Sequence, residues 1–139
     1  MPYTDEQTQI ETRVLEALQA LTRKDVSKWP ALFEEAGVQE FPFAPEGSPG
    51  RIEGRSAIAA YLKDYPEKFD LHRIGQPIWH HDGNTAIVEF TVEGVAVPTG
   101  RPYHQRYVSV IEHRHGQITR YVDYWNPQVV ADALGGMFK

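Results

Sequence analysis

Arg120-Tyr121-Val122-Asp123-Tyr124-Trp125-Asn126-Pro127 lies close to the C-terminus and reads as a strand. Tyr121, Val122, Tyr124 and Trp125 are the aromatic and β-branched residues that pleated sheets favour. Successive side chains on a strand point to opposite faces, so Tyr121, Asp123 and Trp125 share one face. Val122 and Tyr124 share the other. One carboxylate therefore sits among large aromatic rings, where an ionised and unpaired group is costly. Either a partner satisfies it, with Arg106, Arg120 or a tyrosine hydroxyl at hand, or its pKa is raised and it serves as an acid or base.

The turn before this strand decides which residues face it. Arg114-His115-Gly116 links it to a long strand over Tyr103 to His113. With a three-residue loop and Gly116 left-handed, Asp123 lies opposite Tyr107, Tyr121 opposite Ser109 and Trp125 opposite Gln105. With a two-residue loop the pairing slips by one and Asp123 faces Val108. The longer loop is favoured, because His-Gly suits a type I turn ending in a bulge. On that register Gln105, Tyr107, Ser109, Tyr121, Asp123 and Trp125 form a pocket wall. Val108, Val110, Val122 and Tyr124 form an apolar opposite face, which predicts a homodimer through the outer side of the sheet.

Working back to the N-terminus, Thr4 and Gln7 make a capping-box pattern. Ile10, Val14, Leu18 and Leu21 follow at helical spacing. Ser27 is placed to cap a short helix with Pro30 in its first turn and Gly37 at its end. Val38 to Phe43 reads as a strand, and residues 44–50 as a Pro/Gly loop. A further helix follows Gly54, with Ile58, Tyr61, Leu62 and Tyr65 on one stripe and Pro66 as its stop. Phe69 to His81 reads as one strand, Asp82-Gly83 as a tight turn, and Asn84 to Glu93 as the next strand. Val95 to Tyr103 is broken by Pro98 and Gly100, and a short helix or tail carries Val129, Val130 and Leu134. Helices on one face of an antiparallel sheet define an α+β fold. The length suits one domain over residues 1–139.

Composition removes several classes. Lys plus Arg is 14 against 19 Asp plus Glu, a net charge of −5 that argues against nucleic acid as a partner. No apolar run has the length of a membrane span. The first residues lack the basic and apolar regions of a signal peptide, so a cytoplasmic location is expected. The absence of cysteine removes disulfides and thiol catalysis. No metal site and no cofactor are expected. His80-His81-Asp82 and His113 with His115 fall at turn tips and are read as solvated. There is no Gly-x-Ser-x-Gly elbow or phosphate-binding loop.

Three segments resemble a known family when taken in order. They are Glu40-Phe41-Pro42-Phe43-Ala44-Pro45 with its loop, Gly54-Arg55-Ser56-Ala57-Ile58, and Gly116-Gln117-Ile118 leading into Asp123-Tyr124-Trp125-Asn126-Pro127. Together they resemble SnoaL-like proteins of the nuclear transport factor 2-like, or ketosteroid isomerase-like, superfamily. The resemblance implies a curved antiparallel sheet wrapped around helices into a cone with an internal apolar pocket, a cystatin-like arrangement, and a dimer through the outer face. The C-terminal half looks most like the phenazine biosynthesis A/B proteins, which condense two cyclic ketones. Their acidic residue falls on Asp123, their helix-borne histidine and serine on Tyr61 and Tyr65, and a glutamate on Glu89.

The functional expectation is proton transfer on a cyclic or largely apolar carbonyl compound, with Asp123 as acid/base. Tyr61 and Tyr107 are the candidate donors to the resulting enolate oxygen. Tyr65, Gln105, Ser109, Tyr121, Trp125 and Glu89 are the candidate ligand contacts. Helix-stripe tyrosines are also ordinary core residues, and one of Tyr61 and Tyr65 is expected to be that. Glu89 alternates with Val88 and Phe90 and is solvent-facing if those face the helices. The competing expectations are a non-catalytic small-ligand binder and a dimeric interaction module whose aromatic residues plug the cone.

Overall fold

The structure is a computed structural model that describes residues 3–135. Helix α1 (Asp5–Leu21) opens on the expected capping box, with Thr4 and Gln7 exchanging side chain-to-backbone hydrogen bonds. Its stripe of Ile10, Val14, Ala17 and Leu18 is buried. Seven strands follow: β1 (Phe33–Glu40), β2 (Arg51–Glu53), β3 (Phe69–Ile74), β4 (Ile78–Asp82), β5 (Thr85–Ala96), β6 (Pro102–Arg114) and β7 (Gln117–Trp125). Helix α2 (Arg55–Leu62) and the single turn α3 (Tyr65–Lys68) lie between β2 and β3, and α4 (Pro127–Leu134) follows β7. The result is an α+β fold whose curved sheet runs β2-β1-β7-β6-β5-β3, with β4 also paired to β5.

Several expectations need correction. The segment after Ser27 makes only a 3-10 turn over Pro30–Leu32, and Gly37 lies inside β1 rather than at a helix end. Glu34, Glu35 and Ala36 are good helix formers, but they run as strand between two residues paired with β7, Phe33 with Ile118 and Val38 with Arg120. That pairing, Gln39 with Tyr121 and Glu40 with Val122, is parallel, so the sheet is not purely antiparallel. Pro66 does not stop α2. It sits in the first turn of α3, where its missing N–H costs nothing. The stretch from Phe69 to His81 is two strands, interrupted at Gly75-Gln76-Pro77, and both pair with β5. Gly94 permits this edge, since a Cβ there would fall 2.2 Å from the Asp70 carbonyl oxygen.

The β6–β7 hairpin combines two departures. His115 and Gly116 both have positive φ, 54° and 77°, and form a two-residue loop that pairs Arg114 with Gln117. A bulge after Ile118 then adds one residue on β7. Asp123 therefore faces Ser109, Tyr121 faces Ile111 and Trp125 faces Tyr107. The register differs by two from the favoured expectation. Because strand faces alternate with period two, every side chain keeps its expected face.

The histidines are also corrected. The side chains of His81 and His113 are buried, and each meets a glutamate of α1: His81 Nε2 lies 2.6 Å from Glu11 and His113 Nδ1 lies 2.5 Å from Glu6. Gln7 donates to the Gly83 carbonyl, and Arg13 to the Gly116 carbonyl. These contacts tie the N-terminal half of α1 to the two hairpin turns. Among the described residues, no helix is long and apolar enough to cross a membrane.

Candidate functional site

The inner face of the sheet and the helices over it enclose a cavity of about 220 Å³. Its helical walls are Leu18 and Leu21 from α1, Leu62 from α2 and Val130 from α4. The sheet-side walls are mainly aromatic: Phe41 just after β1, and Phe90, Tyr103, Tyr107, Tyr121 and Trp125 on the strands. The cone is open inside, so its aromatic residues do not plug it.

Asp123 borders this cavity from near the C-terminal end of β7. Its carboxyl is enclosed by protein although the residue keeps some accessible area at the cavity, and its Oδ1 has no hydrogen-bond partner. Arg106 and Arg120 lie on the opposite face. Arg120 pairs there with Glu40 and Glu112, so neither arginine neutralises Asp123. Desolvation by burial pushes the Asp123 carboxyl up to about 7. Near neutral pH it is present both as a base and as an acid, which is the condition for shuttling a proton.

The tyrosines around it stay protonated. Burial, reinforced by neighbouring phenols and by Asp123, holds Tyr65 and Tyr107 well above the ordinary phenol range. Burial and Asp123 do the same to Tyr121. Tyr103 is pushed up to about 12, chiefly by burial. These hydroxyls are donors or acceptors in hydrogen bonds and not bases. Tyr103 and Tyr107 hydroxyls are 2.7 Å apart. Tyr107 stacks on Phe90, with ring centroids 5.1 Å apart. Tyr61 lines the cavity at 44% exposure and packs on Phe41, so it is a rim residue. Tyr65 is half-buried and packs on Phe69.

The structure thus brings Asp123, Tyr61, Tyr65, Tyr107, Tyr121 and Trp125 together around one cavity. It does not bring in Gln105, Ser109 or Glu89. Ser109 is fully buried beneath Tyr121, whose hydroxyl donates to its Oγ at 2.8 Å. Gln105 is used up by the backbone: its Nε2 donates to the Asn126 carbonyl and its Oε1 accepts from the Asn126 N–H. That pair fixes the point where β7 turns into α4. Glu89 faces outward and lies 2.9 Å from His80.

Several cavity residues escaped the sequence reading, among them Asp64 and Lys68 at its wall and, next to the carboxyl's strand, Trp29, Gln39 and Tyr103. Trp29 Nε1 donates to Gln39 Oε1 at 3.1 Å, and both residues are buried. The period of two through Val38 to Phe43 places Gln39 with Phe41, and extending β6 back by one step adds Tyr103 to its pocket face. Those two patterns were available signals. Trp29 had none, because only the tertiary fold turns its indole toward β1.

The SnoaL-like domain family is matched over residues 14–121, and the chain belongs to that family. Asp123 lies two residues beyond the matched segment. Protein YesE of Bacillus subtilis strain 168 is 51% identical over 120 residues, covering 85% of this chain and 82% of YesE. The PhzA/B-like protein PA3332 of Pseudomonas aeruginosa is 38% identical over 125 residues, 89% of each chain. A Bacillus subtilis crystal structure provisionally named an isomerase superposes with a TM-score of 0.93 at 44% identity, over 97% of this chain and 99% of that one. More distant structures share the fold alone, among them ones named for phenazine biosynthesis and polyketide cyclisation. One, a Catenulispora acidiphila protein with a ketosteroid isomerase-like fold, is in complex with trimethylamine (TM-score 0.65, 16% identity, 78% of this chain and 80% of that one).

Proposed function

We propose that this protein is a cofactor-independent enzyme that moves a proton at the carbon beside a carbonyl group of a small cyclic or apolar compound, as isomerisation, cyclisation and condensation all require. The observation that carries it is the enclosed, unpaired carboxyl of Asp123, raised to about 7, on the wall of an aromatic cavity. The Asp123 carboxylate takes the α-proton, and the C–H electron pair moves into the enolate. Tyr107 inside the cavity, or Tyr61 at its rim, donates a hydrogen bond to the enolate oxygen. The protonated Asp123 then returns the proton to carbon, or the enolate attacks a second carbonyl carbon, its π pair moves onto oxygen, and the resulting alkoxide takes the proton from Asp123.

The direct test is deuterium exchange into 2-tetralone, a two-ring enolisable ketone, followed by NMR in D2O. Enzyme-dependent exchange is expected, rising with pH through about 7 and then level, as the carboxylate form fills. Asp123→Asn is expected to lower it by about 100-fold or more. Undiminished exchange in that variant rules out the acid/base role.

The rival reading is a binder without turnover, and the trimethylamine complex of the Catenulispora acidiphila fold-mate favours it. Tight binding of 2-tetralone with no exchange at any pH decides for it. The proposal also includes a homodimer through the outer sheet face, supported by the apolar run Ile78, Ile87, Val108, Val110 and Tyr124 on outward positions of β4 to β7. Light scattering at micromolar concentration is expected to give twice the chain mass. A monomer there removes this part.

A further inference from the structure

Gln39 is 5% exposed, lines the cavity, and has a side chain whose orientation is chemically fixed. The indole N–H of Trp29 is a donor only, so it must meet the amide oxygen and not the amide nitrogen. The Gln39 Nε2 group is thereby turned away from Trp29 with two N–H donors. No described residue accepts from it. The atom is not sealed in protein like Oδ1 of Asp123, and it opens onto the accessible space that Gln39 lines. A donor pair at the cavity wall with no protein acceptor is free to meet a ligand oxygen.

Its position relative to Asp123 is set by the sheet. β7 lies between β1 and β6. Gln39 is level with Tyr121, two residues before Asp123, and Tyr107 is level with Trp125, two residues after it. Gln39, Asp123 and Tyr107 therefore form a diagonal across three neighbouring strands on the inner face, each step about 7–8 Å between backbone positions. The carboxyl is at the centre with a hydrogen-bond donor on either side.

We propose that Gln39 is a ligand-binding residue that donates to a second acceptor oxygen of the substrate, and that Trp29 is the residue positioning its amide. The substrate class is a one- or two-ring compound with the reacting carbon between two acceptor oxygens, one toward Tyr107 and one toward Gln39. A cavity of about 220 Å³ fits that size; an apolar cavity of about 150 Å³ holds one benzene ring. The inference rests on the proton-transfer reading for the role of the central carbon, but the binding preference does not.

The test compares two nearly isosteric probes, 3-chromanone and 2-tetralone. In 3-chromanone a ring oxygen replaces one CH2, and the carbon between that oxygen and the carbonyl is enolisable. Affinities are read by titrating the tryptophan fluorescence of the intact protein. Wild type is expected to prefer 3-chromanone by about fivefold, the worth of one net hydrogen bond. Gln39→Met, similar in size but without the amide, is expected to bring the ratio near one while 2-tetralone affinity stays within about twofold. Trp29→Phe keeps the amide but frees it to rotate, and is expected to lower the ratio partway. It also serves as the second variant if Gln39→Met does not fold. Equal losses for both probes, no preference in wild type, or no binding of either probe overturns the proposal. The two readings fail separately. A ratio that collapses in Gln39→Met without any deuterium exchange in wild type sinks proton transfer alone. Asp123-dependent exchange with an unchanged ratio sinks the Gln39 assignment alone.

Discussion

The two faces of β7 hold charge in opposite ways. Outward, Arg120 lies between Glu40 and Glu112, and Glu40 also meets Arg51, so each charge has a partner and water beside it. Inward and three residues later, Asp123 has neither a cation nor a hydrogen bond at Oδ1. The outer network is arranged to be satisfied. The inner carboxyl is left with an unmet demand, and its raised pKa is the measure of that demand. Groups perturbed in this way cluster at functional sites, which is why the proposal centres on Asp123.

This contrast can be broken by substitution, and the largest effect falls on the inner face. Asp123 is held up to about 7 in the folded chain, against roughly 4 when unfolded. Between those values the unfolded chain releases a proton that the native state keeps. The contribution of Asp123 to stability is therefore greatest at low pH and falls as pH rises through that window. Asp123→Asn does not titrate, so denaturant melts should show it more stable than wild type by up to about 4 kcal/mol at pH 8, with little difference at pH 4. Equal stability at pH 8 would mean that the carboxyl is not desolvated in solution. Tyr107→Phe comes next. Removing the hydroxyl is expected to slow 2-tetralone exchange by roughly 100-fold, about 3 kcal/mol, with binding little changed. A change confined to affinity would make Tyr107 a packing residue.

Tyr121→Phe removes the donor to Ser109 and should cost about 1 kcal/mol in urea melts, with exchange retained. The smallest effect belongs to the outer face. Arg120→Ala is expected to cost no more than about 1 kcal/mol, less in high salt, and to leave exchange untouched, because its pairs are solvated. An Arg120→Ala variant that loses exchange would show the two faces to be coupled.

Most of the architecture was legible because it follows local rules. The capping box at Thr4, the helical stripe of α1 and the alternation in β5, β6 and β7 all read directly. The start of β1 was not legible, because Glu34 to Ala36 prefer helix and the register with β7 breaks between Phe33 and Val38, leaving no regular alternation to read. The site was half legible. Asp123 stands out as a carboxylate among aromatic residues, but Ser109 and Gln105 share its face without reaching the cavity, one under Tyr121 and the other bonded to the Asn126 backbone. Face is a matter of parity, whereas reaching a cavity depends on what packs in between. The buried His81 and His113 were missed for a similar reason: their glutamate partners come from α1, about 70 and 107 residues away.

The bulge after Ile118 and the two-residue loop before it together set the parity of β7. With the two-residue turn kept, losing the bulge residue would carry Asp123 to the outer surface and Tyr124 into the cavity. The one extra residue in β7 thus decides which side of the sheet carries the acid.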